Sequence, residues 1–250
     1  MARRARFFVL EWSRAMRLDK FVAQAMQITR SESRTLITKG KVTVGGAVCR
    51  KADAQVEENA PDVCALGQPL GVQRFVYLML NKPDGVVSAS TDGRDTTVVD
   101  LVKDAFPRRQ LFPAGRLDKT STGFILLTDD GNFAHDILAP KRHVSKTYTV
   151  VLDAPVTDEM VRGFEAGVTL ADGQTMDPAG LIPDGNDPCR CTVVLHQGVY
   201  HQIKRMFGVY DVGVNGLHRT AIGGLALDAA LAPGQWREIT PEELELLRRR

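Results

Sequence analysis

Residues 115–131 read Gly115-Arg116-Leu117-Asp118-Lys119-Thr120-Ser121-Thr122-Gly123, then Phe124-Ile125-Leu126-Leu127-Thr128, then Asp129-Asp130-Gly131. A small-polar loop carrying one acid between two bases runs into a short apolar segment. The apolar segment, bounded by turn residues on both sides, has the pattern of a buried strand. Asp129-Asp130-Gly131 then turns the chain into a helical period at 132–138. Two readings of Asp118 stand side by side. Its carboxylate satisfies backbone amides in the Ser/Thr-rich turn, or it is a functional group displayed by a loop on a rigid scaffold. Asp129 and Asp130 could be taken as partners in a glycosidase-type carboxylate pair. A strand-to-helix turn is the simpler reading of them.

Working outward, the same mixture of periods continues on both sides. Phe75–Leu80 is an apolar run that ends at Asn81-Lys82-Pro83. Helical spacing appears at 96–105, 157–166 and 199–209, and strand character at 86–88, 147–152, 190–196 and 222–227. Thr240, Pro241, Glu242 and Glu243 open a last helix, with a capping hydroxyl, a proline at the first position and acids at the positive dipole end. Helices and strands are interspersed without βαβ alternation. Residues 75–250 therefore read as one α+β domain with a mixed, mainly antiparallel sheet.

Residues 16–67 form a second, smaller module. Leu18, Phe21, Val22 and Ala25 share one face of a helix. Thr29 and Glu32 make a capping box for the next helix, which ends at Gly40. Val42-Thr43-Val44, Gly45-Gly46 and Ala47-Val48 read as a hairpin. Residues 68–74, with Pro69 and Gly71, read as a linker. Residues 1–15 read as a basic tail with no assigned fold: either a basic arm or an extension ahead of a functional start at Met16.

The 250 residues carry a net charge of only +2. Residues 1–41 hold ten basic and three acidic side chains, a net of +7, and the rest carries −5. A positive module beside an acidic-leaning domain points to a polyanionic partner gripped at one end. Of these ten, Arg17, Lys20, Arg30, Arg34, Lys39 and Lys41 belong to the folded module and are its candidate RNA-binding cations. Cys49, Cys64, Cys189 and Cys191 give no disulfide framework or zinc spacing and read as free thiols of a cytoplasmic protein. No metal site is expected. Gly-x-Gly-x-x-Gly and Walker patterns are absent, and no apolar run reaches the roughly 20 residues of a membrane span.

Several motifs in order resemble one family. Residues 115–131 resemble the catalytic motif of the bacterial 16S rRNA pseudouridine synthases, the ribosomal small-subunit type. Met16–Gln24 (MRLDKFVAQ) resembles the start of the alpha-L RNA-binding domain that accompanies them. Leu80–Ser90, Ser145–Val150, Gly198–Phe207, Leu217–Leu227 and Leu231–Thr240 resemble further family segments, so the likeness runs from Met16 almost to the end. The resemblance implies that Asp118 is the catalytic carboxylate and that uridine is isomerised to pseudouridine in rRNA without a cofactor. It also implies that Arg205 pairs with Asp118, that Tyr148 packs on the target uracil and that Arg116 holds the extruded nucleotide or its gap. Ile203 becomes an apolar wall of the pocket. Lys146, Lys204, Lys82 and His201 become phosphate contacts.

The family often has Glu-Gly-Arg where this chain has Gln197-Gly198-Val199, and residues 210–216 also depart from its usual stretch. Both bear on the identity of the substrate. The expected target is one uridine of 16S rRNA, free or within an assembling subunit, met by a cytoplasmic monomer. Two alternatives are a 23S rRNA target and a non-catalytic RNA-binding ribosome-assembly protein that has kept the fold.

Overall fold

The structure, a computed structural model, describes residues 15–57, 60, 62–70, 75–139 and 144–249. The predicted tail, apart from Ala15, lies outside the described residues. Two compact units divide the chain, Met1–Arg74 and Phe75–Arg250.

In the first unit, β1 (Ala15–Arg17) leads into α1 (Leu18–Ala25), and α2 (Arg30–Thr38) follows. Then come β2 (Val42–Val44), β3 (Ala47–Val48), β4 (Gln55–Glu57), β5 (Val63–Ala65) and β6 (Gln68–Pro69). Thr29 and Glu32 form the expected reciprocal capping box at α2. The sheet runs β3-β2-β5-β6, and β1 pairs separately with β4. Leu18, Phe21, Val22, Ile37, Val42 and Val63 are wholly enclosed and form its core.

The predicted linker needs correcting at its start. Gln68 and Pro69 pair with Ala65 and Cys64, and the Leu70 amide donates to Val63. The sheet therefore uses these residues, and only 71–74 of the expected linker lie outside the description.

Among the described residues, the second unit holds nine strands and four helices. Its first half holds β7 (Tyr77–Lys82), β8 (Phe112–Ala114), β9 (Thr122–Thr128), α3 (Gly131–Leu138) and β10 (Lys146–Leu152). The second half holds α4 (Asp158–Ala166), β11 (Gly180–Pro183), β12 (Arg190–Leu195), α5 (Gln202–Gly208), β13 (Val214–Ile222), β14 (Leu225–Ala226), β15 (Trp236–Glu238) and α6 (Pro241–Leu247). The strand order is β11-β12-β10-β13-β9-β7-β15, with β8 on β9 and β14 on β13. Among the described residues, every strand pairing of this sheet is antiparallel except β9 with β13.

β9 gives one edge to β7 and divides the other. Thr122 and Gly123 pair with β13, whereas Leu126–Thr128 pair with β8. At the fork, the Phe124 carbonyl accepts a 2.6 Å hydrogen bond from Arg219 Nε. Gly123 makes this close approach possible. Its φ is +100°, and a Cβ there would lie 2.3 Å from the carbonyl oxygen of Arg219.

Asp129 and Asp130 are joints, as the turn reading expects. Asp129 accepts from the Val76 amide and pairs with Arg109 at 2.8 Å. Asp130 caps α3 through the amides of Asn132 and Phe133 and accepts from Tyr77.

Three expected elements differ. Residues 96–105 form successive turns, not a helix. Val98, Val102 and Phe106 are buried at helical spacing, so the period reported a buried face rather than a helix. Residues 86–88 contribute only an isolated bridge from Val87 to Thr97. The expected strand at 222–227 is a hairpin, because Gly223 and Gly224 turn the chain between β13 and β14.

Candidate active site

The loop from Gly115 to Ser121, between β8 and β9, is held from below by the segment after β7. Lys82, expected on the surface as a phosphate contact, is wholly buried. Its Nζ donates to the carbonyls of Pro83 (3.0 Å), Lys119 (3.1 Å) and Ser121 (2.7 Å). Burial pulls its pKa down to about 8, against the opposing charges of Asp84 and Asp118. The polar head at the end of a buried strand finds two acceptors in the loop, Lys119 and Ser121, and a third in its neighbour Pro83. That is why this lysine is a brace and not an RNA contact.

Ser88 adds a second clamp. Its hydroxyl donates to the Leu117 carbonyl at 2.7 Å and accepts from the Leu117 amide at 3.0 Å. The Gly85 amide donates to Lys119, and the Ser121 amide to the Asp118 carbonyl. Asp118 thus sits on backbone pinned on both sides, with its side chain 27% exposed.

The carboxylate faces α5. Lys204 Nζ lies 3.7 Å from Asp118 Oδ2, and His201 Nε2 lies 3.4 Å from Oδ1. Lys204 also bonds Thr120 Oγ1 at 3.2 Å. Arg205 does not reach Asp118. It turns to the other side of α5 and pairs with Asp172. One residue along a helix rotates the side chain by about 100°. The expected Arg205–Asp118 pair is therefore corrected to Lys204–Asp118. His201, expected as a phosphate contact, stands against the carboxylate.

A cleft of about 800 Å³ opens over Asp118. Arg116, Lys146, Tyr148, Ile203 and Lys204 all line it, as do Ser121, Tyr200 and Arg219. Arg205 is absent from this lining and borders a smaller cleft with Asp172. Tyr148 is buried on β10, and Ile203 is buried on α5. Arg116 is exposed at the rim. Lys146 bonds the Val144 carbonyl, and burial, then the charge of Arg219, draws its pKa down to about 8.

Tyr200 and Arg219 line the cleft too, without a role expected from the sequence. Tyr200 is 75% exposed and stacks on His201 with centroids 3.9 Å apart. Arg219 is buried on β13, with its guanidinium 6.0 Å from the Tyr148 ring centroid. The signal for Arg219 was its place in Leu217–Leu227, one of the segments that resemble the family.

In the first unit, Arg17, Arg30 and Arg34 gather around Asp19, whose side chain is wholly enclosed. The guanidiniums of Arg17 and Arg34 hold its carboxyl down at about 2. Lys20, Lys39 and Lys41 are exposed. The cations expected from the sequence are thus a braced arginine cluster and three exposed lysines on one small unit. Among the described residues, no group of three or more His, Cys, Asp or Glu could hold a metal ion. No described helix is long and apolar enough to cross a membrane.

A basic small unit joined to a domain with a carboxylate-centred, aromatic-lined cleft defines an RNA-modifying enzyme. The family model for RNA pseudouridylate synthase matches residues 76–208, and that for the S4 domain matches residues 16–61. The chain is 40% identical over 230 residues to ribosomal small subunit pseudouridine synthase A of Escherichia coli K12, covering 92% of this chain and 98% of the relative. It is 41% identical over 234 residues to YtzG of Bacillus subtilis, an uncharacterized RNA pseudouridine synthase, covering 93% and 98%. A crystal structure of a pseudouridylate synthase superposes with a TM-score of 0.65 at 34% identity, covering 93% of this chain and 99% of the other. This chain belongs to the RNA pseudouridine synthase family, with an N-terminal S4 domain.

Proposed function

We propose that this protein converts one uridine of 16S rRNA to pseudouridine in the cytoplasm, acting as a monomer with Asp118 as its catalytic carboxylate. The observation that carries the reading is the placement of Asp118. It lies on a braced loop, against Lys204 and His201, at a cleft walled by Tyr148 and Ile203. The likeness to a small-subunit synthase over nearly the whole chain supports the choice of RNA.

The chemistry follows from these groups. A uridine turned out of the RNA lays its base on Tyr148, and Tyr200 offers a second aromatic face to a neighbouring base. The ionised carboxylate acts at the sugar, as nucleophile or base near the anomeric carbon. Lys204 stands 3.7 Å from it as its ion-pair partner. The N1–C1′ bond breaks with its electron pair on the uracil. The ring turns, C5 bonds to C1′, the C5 proton leaves and N1 takes up a proton. Atoms and electrons balance without an oxidant or a second substrate.

The test is tritium release from 16S rRNA labelled at uracil C5. Wild-type protein should release one tritium per RNA at completion, and Asp118→Asn should be slower by about ten-thousand-fold. Release by Asp118→Asn at the wild-type rate would remove Asp118 from this role. Release from 23S rRNA alone would move the target.

A further inference from the structure

Among the described residues, two buried side-chain polar atoms have no hydrogen-bond partner: Ser121 Oγ and Arg219 Nη2. Both residues line the cleft that holds Asp118. Both are almost fully enclosed, with 1% of Ser121 and 2% of Arg219 exposed. Unpaired buried donors are rare, and each calls for a physical explanation. Two at one cleft point to an acceptor that arrives with the ligand.

The rest of the Arg219 environment narrows the ligand. Nε is taken by the Phe124 carbonyl. Among the described residues, no ion pair to a carboxylate is formed by the guanidinium, and its charge helps to draw down the pKa of Lys146, a second cation lining the cleft. Arginine offers donors only, so the missing partner is an acceptor, and an anionic one is favoured. Arg219 is the cross-strand neighbour of Tyr148 in the β10–β13 register, and the two side chains are in contact range. An acceptor carried on a ring that packs on Tyr148 is in the right place.

We infer that Arg219, with Ser121, binds a carbonyl oxygen of the target uracil and stabilises the base as it leaves the sugar. The inference rests on the pseudouridine synthase reading above and deepens it. When the N1–C1′ bond breaks, the electron pair passes to the uracil, and its charge spreads onto the two carbonyl oxygens. A guanidinium N–H bonds that anion more strongly than it bonds the neutral base. The interaction therefore lowers the barrier more than it tightens binding. No proton moves to or from Arg219, and the proton N1 finally receives comes from solvent or Asp118.

Arg219→Gln, Arg219→Lys and Ser121→Ala test it by tritium release from C5-labelled 16S rRNA, with melting temperatures measured in parallel. Arg219→Gln should lower kcat by about 100- to 1000-fold, with KM within about threefold of wild type. Arg219→Lys should recover part of kcat because it keeps the charge. Ser121→Ala should lower kcat/KM by about fivefold. A folded Arg219→Gln protein with wild-type kcat overturns the inference, as does an equal loss in both arginine variants carried by KM alone. If Arg219→Gln does not fold, an unchanged kcat/KM in Ser121→Ala overturns it instead. A wild-type protein that releases no tritium from any rRNA overturns the enzyme reading and this inference with it, a result distinct from a loss confined to the variants.

Discussion

At the scale of single residues, the adjacent bases Lys204 and Arg205 separate most sharply. Only Lys204 reaches the Asp118 carboxylate, while Arg205 is spent on Asp172. Lys204→Met should lower kcat by about 100-fold in the tritium assay, and Arg205→Met by less than about threefold. The reverse order would return the carboxylate's partner to Arg205. A second prediction concerns pH. Lys82 holds three carbonyls with a pKa drawn down to about 8. A neutral amine has only two N–H groups to give. Activity should therefore fall as pH rises through about 8. Lys82 titrates lower folded than unfolded, so above pH 8 the unfolded chain binds more protons. Its contribution to stability then rises with pH until the unfolded lysine also titrates. The alkaline loss should appear in the rate–pH profile without a matching fall in melting temperature.

Much of the site was legible in the sequence. Arg116, Asp118, Lys146, Tyr148, Ile203 and Lys204, expected from the motifs, all line one cleft. What could not be read was phase and depth. Which of two neighbouring bases faces the loop depends on where α5 starts, and His201 opens that helix in a left-handed conformation at φ 49°. Lys82 looked like surface because lysine usually is, and only the loop's carbonyls make its burial tolerable.

At the scale of elements, the segment after β7 and the loop before β9 behave as one object. Ser88 satisfies both backbone groups of Leu117, so Ser88→Ala leaves a buried donor and a buried acceptor unmet. We expect a loss of about 2–3 kcal/mol, read as a lower melting temperature. A drop in kcat larger than the drop in RNA affinity should accompany it, since the loop aims Asp118. No change in either quantity would show the clamp to be idle. The strands next to apolar runs were foreseen, and the turns at 96–105 were not. Their buried valines mimic a helix's period, yet Asp100 bonds the Thr97 amide and folds the segment into short turns. Strands such as β8, β11 and β15, with three or four residues each, carry too little alternation to be seen without their partners.

At the scale of the whole molecule, charge is divided between the two units. The S4 unit's Lys20, Lys39 and Lys41 stand exposed, while Arg17, Arg30 and Arg34 share the enclosed Asp19. Replacing the three lysines by glutamine should flatten the plot of log affinity for rRNA against log salt by about 2 to 3 units of slope. The rate at saturating RNA should stay unchanged. An unaltered slope would place the phosphate contacts elsewhere.

The divided edge of β9 has a further consequence for anyone who would re-engineer this enzyme. The shape of the loop at 115–121 is stored outside it: in Lys82 and Ser88, and in β13 through Gly123 and Arg219. Transplanting the loop alone between relatives should carry its letters and lose its geometry. The smallest portable cassette joins residues 80–88, the loop with β9, and β13, three stretches that must be exchanged together.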